Sequence, residues 1–184
     1  RDAANLAWKI ADVLRGQAAD DLLDTYQPER EPNLRATIQM AIMMGRMVCT
    51  TSKWAAFLRD TKFKLARALR KLPDGPAAYP PISVGTIMSG SPAAGSYFPQ
   101  PLALDGARLD DVLGTGTWLI EKAGLADPKI APFAGVLDKW LSRNGVESVL
   151  VRPDRYVFGS GNREQVLSAW RERVAAKTER PNGK

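Results

Sequence analysis

Residues Phe133–Phe158, FAGVLDKWLSRNGVESVLVRPDRYVF, decide how the C-terminal half of the chain is read. Phe133, Val136, Leu137, Trp140 and Leu141 recur at helical spacing, so one stripe of a helix is apolar. Asn144-Gly145 ends that helix, because glycine accepts the left-handed conformation a helix C-terminus needs. Val146–Val151 is then a strand, Arg152-Pro153-Asp154 a turn, and Arg155–Phe158 a second strand. Upstream, Gly116–Glu121 reads as a further strand. Downstream, Asn162 with Gln165 has the spacing of a capping box opening a last helix, with Val166, Leu167, Trp170 and Val174 facing inward. The order β-α-β-β-α predicts a small thioredoxin-like α/β domain without the Cys-x-x-Cys pair that gives such a domain redox work.

The N-terminal part reads as helical, making the fold class α+β. Asp2 stands where an N-cap residue would accept an early amide. Leu6, Ile10, Val13 and Leu14 follow at helical spacing, Ala3, Ala7 and Ala11 form a small-residue face, and Gly16 suits the C′ position. A second helical piece covers Asp20–Tyr26, and Gln27–Pro32, with two prolines, predicts an elbow. The next helix spans Asn33–Val48. Its apolar residues nearly encircle it, and Met40, Met43, Met44 and Met47 read as core packing. A further helix covers Ser52–Leu72 and stops at Pro73-Asp74-Gly75-Pro76. Residues 73–101, rich in Pro, Gly, Ser and Ala, read as a linker or extended loop. The expected organisation is a helical segment at 1–72, the linker at 73–101, the thioredoxin-like domain at 102–176 and a frayed tail at 177–184.

Composition removes several kinds of chemistry. The 184 residues include no histidine and one cysteine. Serine–histidine triads, histidine-ligated metals, internal disulfides and cysteine zinc fingers are therefore excluded from this chain. No catalytic residue and no metal ligand is assigned. Lone Cys49 reads as a small packed hydrophobe and fits a reducing, cytoplasmic setting. The net charge of +6 is concentrated in Arg59–Lys71, RDTKFKLARALRK. That stretch reads as a solvated helix face with Phe63, Leu65, Ala66 and Leu69 packed inward, rather than as a nucleic-acid stripe. The chain lacks an apolar run long enough for a transmembrane span.

The opening segment carries a resemblance. RDAANLAWKIADVLRG followed by LLDTYQPERE resembles the helix after the last flavin-contacting loop of FAD-dependent aromatic hydroxylases, the single-component monooxygenases related to 4-hydroxybenzoate hydroxylase. Asp2, Ala3, Asn5, Leu6, Trp8 and Lys9 match that family's Asp-Ala-x-Asn-Leu-x-Trp-Lys-Leu pattern, with Ile10 in the last place. Tyr26, Glu29 and Arg30 match its Tyr-x-x-Glu-Arg element. Phe98–Pro101, Leu109–Gly114 and Val151–Tyr156 are similar to the C-terminal thioredoxin-like domain of its phenol and 3-(3-hydroxyphenyl)propionate branch.

The resemblance implies an FAD-dependent oxidoreductase that uses NAD(P)H and O₂ to hydroxylate a phenolic ring. It implies that the first helix points its N-terminus at the flavin, so Asp2 and Ala3 are the candidate cofactor-binding residues. Asp2 reads better as a cap than as a flavin ligand. The family's dinucleotide fingerprint and its other flavin-contacting elements are expected upstream of Arg1. The chain is therefore expected to be a C-terminal fragment, itself inactive, without bound FAD, and self-associating through its uncovered helices as a homo-oligomer. No nucleic-acid or membrane partner is expected. The alternative is a stand-alone dimerisation or interaction module derived from the same family.

Overall fold

Glycines that adopt positive φ close two of the helices marked out by the sequence. Helix α1, Asp2–Leu14, stops before Gly16 at φ 70°, and Ala134–Asn144 stops at Gly145 at φ 65°. The computed structural model describes residues 1–69 and 80–174. The Pro73–Pro76 turn, the end of the Ser52–Leu72 helix and the tail at 177–184 lie outside those residues. The chain divides into two units, Arg1–Glu31 with Pro81–Lys184, and Pro32–Pro80.

In the larger unit, three strands form one antiparallel sheet in the order β1-β2-β3: Trp118–Glu121, Ser148–Val151 and Val157–Gly161. Ile120 pairs with Val149 and Leu150 with Gly159. Strand residues alternate between faces, so the sheet is buried on both sides. Val149, Val151 and Val157 join Phe98, Leu109, Phe133, Leu137 and Leu141 in one core. Leu150 and Phe158 join Val166 in another, with Trp170 packed against it. Leu109 belongs to the short helix α4, Leu109–Leu113; Leu137 and Leu141 to α5, Ala134–Asn144; and Val166 and Trp170 to α6, Arg163–Val174. Asn162 accepts the Glu164 amide at 2.9 Å and so opens α6. The architecture is α+β.

The hairpin begins later than the sequence predicts. Arg155 takes φ 70°, and its amide bonds to the Arg152 carbonyl at 2.9 Å, so the turn extends through Arg155 and β3 starts at Val157. Residues 80–101, read from composition as a linker or loop, are packed against this hairpin. Met88, Gly95 and Phe98 amides donate to the Phe158, Val157 and Arg155 carbonyls at 2.7–2.8 Å. Ile82 and Phe98 are buried. Backbone hydrogen bonds together with these buried side chains hold the segment down.

Two prolines do not produce the expected elbow. Helix α2 runs unbroken over Tyr26–Val48, after a 3-10 turn at Asp20–Thr25. Pro28 falls in its first turn, where the missing N–H has no carbonyl to reach, and only Pro32 sits in the interior.

The smaller unit departs furthest from expectation. Leu34, Ile38, Met40, Ile42, Met43 and Met44 are exposed, not core. Helix α3, Lys53–Ala68, is capped by Ser52 and buries no residue completely; Phe63, Leu65 and Leu69 are exposed rather than packed inward. Cys49 is exposed as well. Two helices bury only the stripes that face each other, and these helices carry apolar residues on more sides than that.

Candidate functional site

Helix α1 brings the sequence-predicted site residues to its N-terminus, with one correction. The N-cap is Arg1, and Asp2 is already the first helical residue. Its carboxylate therefore lies outside the cap geometry. It accepts from Arg30 Nε at 2.6 Å instead. Arg30 also donates to the Tyr156 hydroxyl at 3.3 Å, and Tyr156 meets the Tyr97 ring edge to face at 5.4 Å. The Arg1 guanidinium lies 4.5 Å from the Tyr97 ring centre. Ala3 is exposed beside this group. The first intrahelical bond is Asn5 N to Arg1 O, so the amides of Asp2, Ala3 and Ala4 precede the ladder. With Asp2 countered by Arg30, this end keeps the partial positive charge of a helix N-terminus.

One turn further in, α1 buries its polar side. Asn5 and Lys9, spaced i, i+4, are fully buried, whereas Ile10 and Leu14 of the expected apolar face are exposed. Burial follows the partners. Lys9 Nζ lies 3.0 Å from Glu29 Oε2 and donates to Thr25 Oγ1 at 2.7 Å. Arg152 Nη2 donates to Glu29 Oε2 and to Asp154 Oδ2, each at 2.7 Å, and Arg152 Nε donates to Asp154 Oδ1 at 3.0 Å. Arg152 Nη1 donates to the Thr86 carbonyl at 2.9 Å, and the Thr86 amide donates to Glu29 Oε1 at 2.7 Å. Asn5 Nδ2 donates to Glu29 Oε2 and Asp154 Oδ2, both at 2.8 Å. Two cations and two anions thus cancel in a space closed to water. Gly85 makes room for them, since a Cβ there would overlap the Glu29 side chain.

The electrostatics follow from this packing. Burial alone would raise the Glu29 carboxyl, but Arg152 and Lys9 outweigh it and hold it at about 2. Burial pushes Lys9 down to about 8, although Glu29 partly restores it. Both Asn5 N–H groups point at carboxylates, which fixes the amide orientation and leaves Asn5 Oδ1 buried without a hydrogen-bond partner among the described residues. Glu29 and Asp154 are saturated by cations, and among the described residues no cluster of three or more acidic or sulfur groups forms a metal site.

The sequence pointed to Asp2 and Ala3 but not to this network. Its signal was present: Asn5, Lys9, Glu29, Arg152 and Asp154 all lie in the motif segments, and Asn5 and Lys9 share one face of the first helix with Asp2 and Asp12.

Comparison with known proteins extends this picture. The FAD binding domain family matches residues 1–41. A probable NADH-specific resorcinol 4-hydroxylase of Rhodococcus jostii is 34% identical over 86% of this chain and 35% of its own length. A 3-(3-hydroxy-phenyl)propionate/3-hydroxycinnamic acid hydroxylase of a Mycobacterium species (strain JLS) is 31% identical over 96% of this chain and 33% of its own. Among solved structures, the anhydrotetracycline hydroxylase OxyS of Streptomyces rimosus superposes with TM-score 0.59 and 22% identity, over 95% of this chain and 40% of that one. The rebeccamycin biosynthetic enzyme RebC with reduced flavin gives TM-score 0.60 at 24% identity, over 95% and 41%. The two structures share the fold. The chain spans about a third of the length of these curated relatives.

Proposed function

We propose that this chain, similar to FAD-dependent aromatic hydroxylases along most of its length, is the C-terminal share of a flavin monooxygenase that hydroxylates a phenolic ring using NAD(P)H and O₂. The match of residues 1–41 to the FAD binding domain carries this reading. The backbone amides of Asp2, Ala3 and Ala4 would face the flavin, and the orphaned Asn5 Oδ1 one turn behind them fits a polar group approaching this end. When bound, FAD would supply the redox chemistry that links NAD(P)H and O₂ to the ring, one oxygen atom going to the ring and the other to water. This chain's own part is electrostatic. A helix N-terminus stabilises negative charge that grows on a nearby group, and Arg30 keeps the Asp2 carboxylate from opposing it.

On the same reading, residues 102–176 form the thioredoxin-like module, without redox chemistry of its own. The fragment is cytoplasmic and inactive alone, and it self-associates through its exposed apolar helices. The basic residues of α3 serve as a solvated face, not as a nucleic-acid site.

Two measurements test this. The reading frame upstream of Arg1 should encode a Gly-x-Gly-x-x-Gly strand-turn-helix, and the protein made from it should oxidise NAD(P)H in response to phenols. A frame without that element, or a product without phenol-dependent turnover, sinks the proposal. The 184-residue chain alone should leave FAD fluorescence unquenched at stoichiometric amounts, and tight quenching or turnover above free flavin contradicts its inactivity.

A further inference from the structure

We propose that Arg152 and Asp154 are positioning residues: from the β2–β3 turn they clamp α1 and so set where its N-terminus points. This gives the C-terminal module, which has no Cys-x-x-Cys, a task in the proposed reaction, and it rests on the reading of α1 as the flavin-facing helix. The clamp joins residues far apart in the chain. Asn5 and Asp154 are 149 positions apart, and Glu29 and Arg152 are 123.

Three features argue for orientation rather than bulk stability. First, four buried charges are costly to desolvate, and apolar residues of similar volume stabilise a core as well or better, so bulk stability does not account for this group. Second, the geometry is rigid. The Arg152 guanidinium grips Asp154 through Nε and Nη2 while Nη2 also holds Glu29 and Nη1 the Thr86 carbonyl. A planar fork used this way fixes angle as well as distance. Third, the grip falls at the correct end of the helix. Asn5 lies three residues after Asp2, roughly 4.5 Å along the axis. A second tie runs from the same module, since Tyr156 reaches Arg30, and Arg30 reaches Asp2. Both the first residue of α1 and the end of its first turn are therefore held from the hairpin. Arg155, in the same motif, serves the module itself: it stacks on Trp118 at 3.6 Å and donates to the Gly114 and Gly116 carbonyls.

Amide hydrogen exchange on the full 184-residue chain tests the clamp. Arg152→Lys keeps the charge and loses the fork. Asn5→Ala removes the grip on the helix side without changing charge, and it serves if the first variant does not fold. Either should speed exchange at the amides of Asn5–Lys9 by about tenfold or more while leaving Ile120, Leu141 and Val149 within about twofold. Leu137→Ala, which weakens the module core, should instead raise exchange throughout the module. If both clamp variants give that uniform pattern, or leave α1 exchange unchanged, the clamp is refuted. No flavin enters this experiment, so a failure of the upstream reading frame removes the flavin reading alone.

Discussion

Replacing Glu29 with Gln removes the negative charge shared by Lys9, Arg152 and Asn5 while keeping nearly the same shape. In the native chain this carboxyl sits at about 2 instead of its ordinary 4.5. A carboxyl whose folded value is depressed contributes stability that is present above about 4.5 and lost as pH falls toward 2. The drop from 4.5 to about 2, at about 1.4 kcal/mol for each tenfold change in proton affinity, comes to about 3–4 kcal/mol. Mutational experience gives a similar figure from another direction, because breaking a buried ion pair costs about 3–5 kcal/mol. Glutamine still offers Oε1 to the Thr86 amide, but its NH2 then faces the Asn5, Lys9 and Arg152 donors at the Oε2 position, so the expected loss is at least ~3 kcal/mol. Against a domain stability of about 5–15 kcal/mol this is large but survivable. Trp8 reports directly, since its ring lies 5.3 Å from the Arg152 guanidinium and 6.0 Å from Trp170. Urea unfolding followed by tryptophan fluorescence, at neutral pH and again near pH 3, measures both effects. The variant should lose at least ~3 kcal/mol at neutral pH and show a flattened acid response. A neutral-pH loss below about 1 kcal/mol, or an acid response as steep as that of the native chain, refutes the reasoning.

Further outcomes follow from other positions. Gly95→Ala should destabilise by more than about 3 kcal/mol in thermal or urea unfolding, because at φ 74° its Cβ would run into the Ile82 carbonyl, which is backbone and cannot step aside. Leu137→Ala, at a fully buried position in the sheet–α5 core, should cost about 2–5 kcal/mol by the same assay. Sedimentation velocity should show mass rising with concentration, since Trp54, Phe57, Met43 and Met44 of the smaller unit are all exposed. Changing Trp54 and Met43 to Glu should shift that equilibrium toward monomer, and a native chain that stays monomeric at all concentrations contradicts it.

Much of the local structure was legible in the sequence. The Phe133–Leu141 stripe, its stop at Asn144-Gly145, the hairpin around Pro153 and the cap at Asn162 all depend on residues close in sequence. Helical and strand periods, turn residues and caps are local rules, so the chain states them directly. The motifs at Asp2–Ile10, Tyr26–Arg30 and Val151–Tyr156 also marked the segments that meet in space. Where local rules were applied too strictly they misled. Pro28 and Pro32 suggested an elbow, yet one lies in a first turn and α2 accommodates the other.

Burial and pairing were not decided locally. Asn5 and Lys9 look like surface residues of an amphipathic helix, and they became its buried face because Glu29, Arg152 and Asp154 arrive from distant parts of the chain to neutralise them. Residues 80–101 look like a linker by composition, and they are fixed by backbone bonds to a hairpin some sixty residues away. The Met-rich helix looks like core, and its apolar side chains are exposed in this chain. Most helices and strands, and the motifs that carry polar groups, can be read along the chain, because they depend on near neighbours in it. The buried face of each element and the pairing of its charges come from the fold, because the free energy of a buried charge is set by what stands within about 3 Å of it.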